Sequence, residues 1–354
     1  MNKRRITKKI KVGDIYIGGD SPITIQSMVK VDARDPKAVL KQILELEEVG
    51  CEIIRMNILD DAGLETFKII SKKAHIPVVA DIHFEYRWAI KAMEFGVQKV
   101  RINPGNIGSE KKVAKVVESA KKYKVPIRIG VNSGSIEKEL LLKYKHPTAE
   151  AMVESASRHI EMLEKHDFDQ IIVSLKASNV RLMTEANRLF SKKYNYPLHL
   201  GVTEAGPEKI GTIKSSVGIG SLLLDGIGDT IRVSLSGDPK EEIFVGKELL
   251  KAVGLKSGPT LISCPTCSRT QYNMIPLVKK VEKYLQKIND PIKVAIMGCI
   301  VNGPGEAREA DVGIAGGRNS GVLFIKGEVI KKVEEDQMYD ELIKTIESII
   351  KKNK

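Results

Sequence analysis

Short apolar runs rich in β-branched residues alternate along the chain with segments whose apolar residues recur at helical spacing. Eight runs lie between residues 20 and 240, and a helix-period segment follows each run. Strand–helix alternation repeated eight times in about 220 residues predicts a TIM (β/α)₈ barrel. A doubly wound open sheet is the alternative, but its usual glycine-rich first turn has only a partial match, 218-GIGSLL-223. The runs are 22-PITIQSM-28, 52-EIIRMN-57, 76-IPVVADIH-83, 98-QKVRINPG-105, 126-PIRIGVNSG-134, 170-QIIVSLKAS-178, 197-PLHLGVTEAG-206 and 229-DTIRVSLSGD-238.

The first helical segment carries both of its boundary signals. Asp35 can cap the helix, Pro36 suits the first turn and Gly50 can end it. Between these residues the apolar positions build one face of a helix. Those positions are Val39, Leu40, Ile43, Leu44 and Leu46.

Polar side chains end each of the eight apolar runs. In a parallel barrel the carboxyl ends of the strands meet at one face, so these side chains would converge there. Any single cation among them could pair with a carboxylate of the barrel or extend into solvent. Five cations together favour a strongly anionic substrate, a diphosphate, because guanidinium groups match phosphate oxygens. The cations are Arg55, Arg101, Arg128, Lys176 and Arg232, and Asn132 and Ser234 are further candidates for substrate binding at the strand ends.

Other residues near the strand ends have more than one interpretation. Glu204, in 203-TEAG-206, is a candidate general acid or a partner for one arginine. Histidines at strand ends are more often structural than catalytic, so His83 and His199 are weaker candidates. Within 210-IGTIKSSVGIGSLLLDGIGD-229, Lys214, Ser215 and Ser216 could stand at a helix start and donate N–H groups to a phosphate.

A second domain is predicted beyond the barrel. Residues 239–253 form a closing helix and 254-GLKSGP-259 is typical of a linker, which gives a barrel over 1–254 and a small α/β domain over 260–354. Its strands are predicted at 259–264, 292–298, 311–316 and 321–327, and its helices at 275–288 and 338–352.

Three cysteines of the second domain follow predicted strands. Cys264 and Cys267 belong to 264-CPTC-267, a spacing that lets two thiolates bind one metal centre, and Cys299 opens 299-CIVNGPGE-306. An iron–sulfur cluster or a zinc site would each need a fourth ligand, and no histidine occurs after His199. A dithiol redox pair is a third possibility. Cys51 is expected to pack as a small apolar residue.

A carboxylate can supply the missing ligand. The turn Gly303-Pro304-Gly305 could fold Glu306 back over the centre that Cys299 binds. A hard carboxylate ligand among soft thiolates would exchange readily. Alternatively, Glu306 caps the start of a helix.

Composition narrows the functional classes. The chain of 354 residues has a formal net charge of +12, which fits nucleic acid, an anionic membrane surface or an anionic small substrate. Aromatic residues make up only 5%, which offers few platforms for stacking bases. Without a signal sequence or a membrane-length apolar run, we expect a soluble, cytoplasmic protein that binds neither membrane nor nucleic acid.

Seven stretches in order resemble the 4-hydroxy-3-methylbut-2-en-1-yl diphosphate synthase family, in its shorter bacterial form. They are 26-QSMVKVDARD-35, 98-QKVRINPGNIG-108, 128-RIGVNSGS-135, 199-HLGVTEAG-206, 226-GIGDTIRVSLSGDP-239, 262-ISCPTCSRT-270 and 298-GCIVNGPGEA-307.

The resemblance implies a TIM barrel followed by a small domain with a 4Fe–4S cluster. Its ligands would be Cys264, Cys267, Cys299 and Glu306, the last exchangeable for a substrate oxygen. It implies reductive ring opening and dehydroxylation of 2-C-methyl-D-erythritol 2,4-cyclodiphosphate, with two electrons from flavodoxin or ferredoxin, by a homodimer. The matching positions for binding the diphosphate are Arg55, Arg101, Arg128 and Lys176, with Asn132 also contacting substrate and Glu204 as proton donor.

Two rival functions remain open on the residues alone. One is a zinc-dependent barrel lyase that binds a phosphate. The other is a cluster-based redox sensor that binds nucleic acid through its positive charge.

Overall fold

The computed structural model describes residues 3–107, 109–299, 305 and 307–353. The chain divides into two compact units, Met1–Leu255 and Lys256–Lys354. Glu306, a predicted ligand, lies outside the described residues.

The first unit is built on an eight-stranded, all-parallel sheet that closes on itself. Closure comes from a parallel bridge between Val173 and Leu198, where the N–H of Val173 donates to the carbonyl of Pro197 at 2.9 Å. The barrel prediction is confirmed, and the open-sheet alternative is excluded by this bridge. The strands are β3 (Thr24–Met28), β4 (Ile53–Asn57), β5 (Val78–Asp81), β6 (Lys99–Ile102), β7 (Ile127–Asn132), β8 (Ile171–Lys176), β9 (His199–Leu200) and β10 (Thr230–Ile231).

Helices follow the barrel strands and surround them, since outward strand residues such as Ile54 and Val100 share one apolar core with helix residues such as Phe67. They are α1 (Pro36–Glu48), α2 (Asp61–Lys73), α3 (Tyr86–Glu94), α4 (Pro104–Ile107), α5 (Glu110–Tyr123), α6 (Lys138–Tyr144), α7 (Ala149–Glu164), α8 (Val180–Lys193), α9 (Glu208–Leu224) and α10 (Pro239–Ala252), with a 3₁₀ turn at Ser133–Ser135. The predicted cap of α1 is confirmed, because the Asp35 carboxylate accepts hydrogen bonds from the N–H groups of Lys37 and Ala38.

A hairpin that the apolar pattern did not predict precedes the barrel. Its strands, β1 (Ile10–Val12) and β2 (Ile15–Ile17), are three residues long, too short for a periodic signal. Ile10, Val12 and Ile17 pack against Ile53 and Ile172, which lie near the amino ends of β4 and β8. The hairpin therefore closes the amino-terminal end of the barrel with apolar side chains and leaves the polar interior to open at the other end.

The second unit has a five-stranded sheet in chain order, with parallel pairing among the first three strands and antiparallel pairing at the last two junctions. Its strands are β11 (Thr260–Ser263), β12 (Lys293–Met297), β13 (Val312–Gly316), β14 (Ser320–Ile325) and β15 (Glu328–Glu334), and its helices are α11 (Met274–Leu285) and α12 (Met338–Lys352), with a 3₁₀ turn at Glu335–Gln337. Strand β15 escaped prediction because it is a charged edge strand in which only Val333 is buried.

Helices long and apolar enough to cross a membrane are absent from the described part of the chain.

Candidate active site

The interior of the barrel holds all five cations that the strand ends predicted. Alternate strand residues point inward, so one side chain in two along β4, β6, β7 and β8 reaches the lumen. Arg101 pairs in register with Arg128, and Lys176 with Asn132. Arg128 is only 1% exposed, and the side chains of Arg55 and Arg232 are each 13% exposed. The guanidinium groups are close enough that their charges, after burial, lower the pKa of Lys176 well below its usual value.

Two glycines make room for the cations. A Cβ on Gly130 would lie 2.5 Å from Nε of Arg101, and a Cβ on Gly201 would lie 2.8 Å from Nζ of Lys176. Any larger residue at either position would push a charged group aside. Gly130 is thus explained by the space that the Arg101 guanidinium group occupies, and Gly201 by the space taken by the Lys176 side chain and the Arg232 carbonyl oxygen.

Asp81 lies between two of the arginines. Its Oδ2 is 3.3 Å from Nε of Arg55 and its Oδ1 is 3.1 Å from Nη1 of Arg101, while Nε2 of His83 is 3.8 Å from Oδ2. Burial alone would raise the pKa of Asp81, but the charges of Arg55 and Arg101 lower it to about 2. Asp81 is therefore an anion at neutral pH, and it fixes the directions in which both guanidinium groups point.

Glu242 has the same role for Arg232. This carboxylate in the first turn of α10 is buried, and it accepts hydrogen bonds from Oγ of Ser27 and from the N–H of Leu235, both at 3.1 Å. Nζ of Lys30 lies 2.9 Å and Nη2 of Arg232 3.5 Å from its Oε1. Sequence reasoning missed Glu242, since an acidic residue at a helix start also suits the helix dipole and signals nothing more.

A sixth cation lies deeper in the lumen. Lys99 precedes Arg101 by two residues and so points to the same side of β6, a signal that the sequence offered and that we overlooked. It is 0% exposed, and its Nζ lies 3.4 Å from Oε1 of Gln26. His199 is also fully buried, and neither of its ring nitrogens has a hydrogen-bond partner among the described residues. Burial and the surrounding cations lower the pKa of His199 well below its usual value, so its imidazole is neutral.

Positive charge is in excess inside the barrel. We call Arg55, Lys99, Arg101, Arg128, Lys176 and Arg232 the cation cluster; among the described residues its six basic side chains face two carboxylates, Asp81 and Glu242. Nε and Nη1 of Arg128 are buried without a hydrogen-bond partner in the described part of the chain. Buried charges are stable only when paired, so the interior is built to receive an anion.

The remaining barrel candidates lie nearer to solvent. Asn132 ends β7 and Ser234 follows β10, and both are half-buried. Glu204 is exposed on the loop after β9, with a left-handed φ of +51° that is uncommon for a residue with a side chain. The idea that Lys214 and its neighbours stand at a helix start is wrong, because α9 begins at Glu208 and they lie inside it.

The second unit brings its two cysteine motifs to one edge of its sheet. Cys264 directly follows β11 and Cys299 follows β12, and these neighbouring strands are parallel. The N–H of Cys264 donates to the carbonyl of Ile296 at 3.1 Å, which ties the first motif to the strand that leads to the second. The carboxyl ends of both strands therefore present thiols on the same side.

Arg269 lies near enough to all three thiols to interact with their charges. The backbone and side chain of Arg269 donate hydrogen bonds to Cys267 and lower the pKa of its thiol. In turn the pKa of Arg269 is raised, first by its hydrogen bond to Cys267 and then by the charges of Cys267, Cys299 and Cys264. Thiolate donors at one sheet edge suit an iron–sulfur cluster or zinc, although no three metal-ligating side chains of the described residues already form a metal-binding group.

Cys51 is separate from these thiols. It is buried in the barrel core, and burial raises its pKa to about 12, so it packs as an apolar residue.

Together these features define a class of protein: a parallel barrel lined with cationic side chains, linked to a small domain that carries three cysteines at one edge of its sheet. Family models extend that description. Residues 7–247 match the GcpE TIM-barrel domain, and residues 260–348 match the GcpE protein C-terminal domain. The chain belongs to the GcpE family.

Close relatives carry a common name, 4-hydroxy-3-methylbut-2-en-1-yl diphosphate synthase (flavodoxin). The relative from Clostridium perfringens is 58% identical over 347 residues, 98% of this chain and 99% of its own. Those from Fusobacterium nucleatum and Geobacter sulfurreducens are 56% and 55% identical, covering 99% and 97% of this chain and 99% and 98% of theirs. The predicted family and enzyme class, an oxidoreductase of isoprenoid synthesis, are thereby confirmed.

A solved structure is similar to part of the chain. Dihydropteroate synthase from Yersinia pestis covers 69% of this chain and 98% of its own length, with a TM-score of 0.50 and 12% identity. At that identity the likeness shows a shared fold.

Proposed function

We propose that the chain catalyses the reductive ring opening and dehydroxylation of 2-C-methyl-D-erythritol 2,4-cyclodiphosphate to (E)-4-hydroxy-3-methylbut-2-enyl diphosphate. The observation that carries this proposal is the cation cluster, whose six basic side chains, four of them buried and two half-buried, face two carboxylates among the described residues. A cyclic diphosphate supplies two negative charges in a compact group, which suits a lumen lined from several strands.

Binding divides between paired and unpaired cations. Asp81 and Glu242 hold Arg55, Arg101 and Arg232 in fixed directions. Arg128 and Lys176 have no carboxylate partner among the described residues, so both side chains are available to bind the diphosphate. Asn132 and Ser234, half-buried beyond the cations, are proposed to contact the polyol part of the substrate.

The second unit is proposed to hold a 4Fe–4S cluster on Cys264, Cys267 and Cys299, with Glu306 as an exchangeable fourth ligand. The shared sheet edge and the common neighbour Arg269 support the three thiols. When bound, the cluster supplies electrons and Lewis acidity, with flavodoxin or ferredoxin as its donor. The N–H and side-chain donors of Arg269 stabilise the thiolate form of Cys267, which is the form that binds metal.

The conversion breaks two carbon–oxygen bonds, one to the ring phosphate and one to a hydroxyl that leaves as water, and a carbon–carbon double bond forms. Two electrons and, counted on the acid forms, two protons complete the balance. Negative charge grows on the phosphate oxygen as its bond to carbon breaks, and Arg128 and Lys176 are already oriented to stabilise it. Glu204, on the exposed loop after β9, is the proposed proton donor.

Assembly and location complete the proposal. We propose a homodimer in the cytoplasm, where a reducing environment keeps the thiols free. An exposed apolar stripe on α9 supports self-association: Ile210, Ile213 and Val217 follow one another at helical spacing and are each more than half exposed.

Two variants of the anaerobically purified enzyme test the proposal separately in each unit. Arg128→Met should keep about four irons per chain and raise the KM for the cyclic diphosphate by tenfold or more, because a charged hydrogen bond contributes about 1.5–3 kcal/mol. Cys267→Ser should lose iron and turnover but still bind the substrate. The matched control is Arg181→Met, since Arg181 lies on the surface of α8.

Other outcomes would contradict specific parts. If the purified enzyme contains zinc and no iron, the proposed cluster is refuted and the zinc-dependent lyase function is favoured. If Arg128→Met leaves the KM for the cyclic diphosphate unchanged, the proposal that the barrel interior binds the diphosphate is refuted.

A further inference from the structure

The deepest cation of the barrel has no obvious place in the proposed reaction. Lys99 points into the lumen near its apolar floor, because its partner in register, Val79, packs with the β1–β2 hairpin. Lys99 is buried, and among the described residues the single hydrogen bond of its Nζ is to Oε1 of Gln26 at 3.4 Å. This contact is long and neutral, and it does little to stabilise an ammonium ion.

The surroundings of Lys99 disfavour a positive charge. The titratable and charged groups that face the lumen from β4 to β10 and from α10 are Arg55, Asp81, Arg101, Arg128, Lys176, His199, Arg232 and Glu242. Both carboxylates are engaged elsewhere, Asp81 by Arg55 and Arg101, and Glu242 by Lys30 and Arg232. Burial, followed by the charges of Arg128 and Arg55, lowers the pKa of Lys99 well below its usual value.

Arginine and lysine respond differently to such a site. A guanidinium group keeps its proton in proteins, so the four arginines of the cluster stay charged. An amine releases its proton when it is buried among like charges. An anion that binds in the lumen above Lys99 favours the protonated form of its amine, because the anion brings negative charge close to Nζ.

We propose that Lys99 is neutral in the ligand-free barrel and takes up a proton when an anion binds, so that it acts as a positioning residue whose charge appears together with the ligand. The inference rests on the proposed function in that the natural anion is the cyclic diphosphate. Proton uptake by Lys99 itself requires only that a dianion bind in the lumen. Lys176 differs from Lys99 because it lies at the carboxyl end of β8, where it can contact the ligand directly.

Calorimetry of the full-length enzyme measures the uptake. Sulfate and the cyclic diphosphate are suitable probes, because both stay doubly charged between about pH 6 and about pH 9. The binding enthalpy in two non-anionic buffers with different ionisation enthalpies gives the number of protons taken up. We expect uptake in the wild type and about one proton less in Lys99→Met, with affinity in the wild type falling by up to about tenfold per pH unit as the pH rises.

A second measurement requires no ligand. If Lys99 is neutral when folded, the unfolded chain binds one more proton below about pH 10, and wild-type stability rises with pH up to that value. Lys99→Met loses the contribution of this residue to the dependence. Its melting temperature should therefore exceed that of the wild type at neutral pH, with the difference shrinking towards about pH 10. Lys111→Met, on the exposed surface of α5, is the control and should behave like the wild type at every pH.

The outcomes separate this inference from the proposed function. Equal proton uptake in the wild type and Lys99→Met, or a constant difference in melting temperature across pH, overturns the role of Lys99. Substrate binding without proton uptake does the same while leaving the proposed function intact. Proton-coupled binding of sulfate, together with failure to bind the cyclic diphosphate, supports the role of Lys99 and refutes the proposed substrate.

Discussion

Replacing Asp81 with asparagine removes the negative charge that lies between Arg55 and Arg101. The substitution changes little in volume, and the amide can still accept a hydrogen bond from one guanidinium group. Two largely buried cations nevertheless lose their counterion, and the net positive charge of the lumen rises by one. We expect Asp81→Asn to destabilise the barrel and to make it more dependent on a bound anion.

The size of this effect follows from the structure in two ways. A pKa of about 2 for Asp81, against an ordinary value of 3.8, corresponds to about 2 kcal/mol of stability at neutral pH. Removing one partner of a buried ion pair typically costs about 3–5 kcal/mol, because the other charge stays buried. A loss of about 2–5 kcal/mol lowers the melting temperature of a unit of this size by roughly 5–15 °C.

The pH dependence has a definite sign. The pKa of Asp81 is lowered in the folded state, so its contribution is complete above about pH 4 and is lost as the pH falls towards about 2. The difference between wild type and Asp81→Asn should therefore shrink under acid. Chemical denaturation monitored by circular dichroism at several pH values measures it, and added sulfate should stabilise the variant more than the wild type.

Asp20→Asn is the matched control, since Asp20 forms an exposed ion pair with Lys9. Exposed pairs contribute little, and this variant should unfold like the wild type. If Asp81→Asn also unfolds like the wild type without added anion, the idea that Asp81 holds the two arginines against their mutual repulsion is refuted.

Two further variants address the parts of the proposal that lie outside the lumen. Glu306→Cys should keep a cluster, seen by iron content and absorption, but lose most turnover, because a fourth thiolate exchanges poorly; full activity would contradict an exchangeable carboxylate. Ile213→Asp should shift the mass measured by light scattering from dimer to monomer, because it buries a charge at the proposed contact, whereas Lys111→Asp should not; a dimer that persists would place the contact elsewhere.

The alternation of the strands explains how much of the site was predictable. In a closed parallel barrel every second residue enters the lumen, so a cation in an otherwise apolar run has few other places to go. Arg101 and Arg128 were found in this way, and the structure pairs them in register. The same rule applied two residues earlier would have found Lys99. Lys99 lies within the same predicted run, but the candidates were taken from the carboxyl ends of the runs, and Lys99 stands near the amino end.

Contacts between distant elements escaped prediction for a different reason. Glu242 reaches Ser27 and Arg232 from the first turn of a helix, and no local pattern indicates which strands a helix will contact. The β1–β2 hairpin and β15 were missed because short or edge strands have no buried face long enough to show a period.

The partly neutralised lumen is better suited to catalysis than a fully neutralised one would be. With a carboxylate for every cation, a diphosphate would have to displace existing ion pairs. With no carboxylates, the guanidinium groups would repel one another and lose their fixed directions. Asp81 and Glu242 orient three arginines, while Arg128 and Lys176 remain without a carboxylate among the described residues. In the proposed reaction, a bound anion would offset the repulsion left in the ligand-free barrel at the place where negative charge develops.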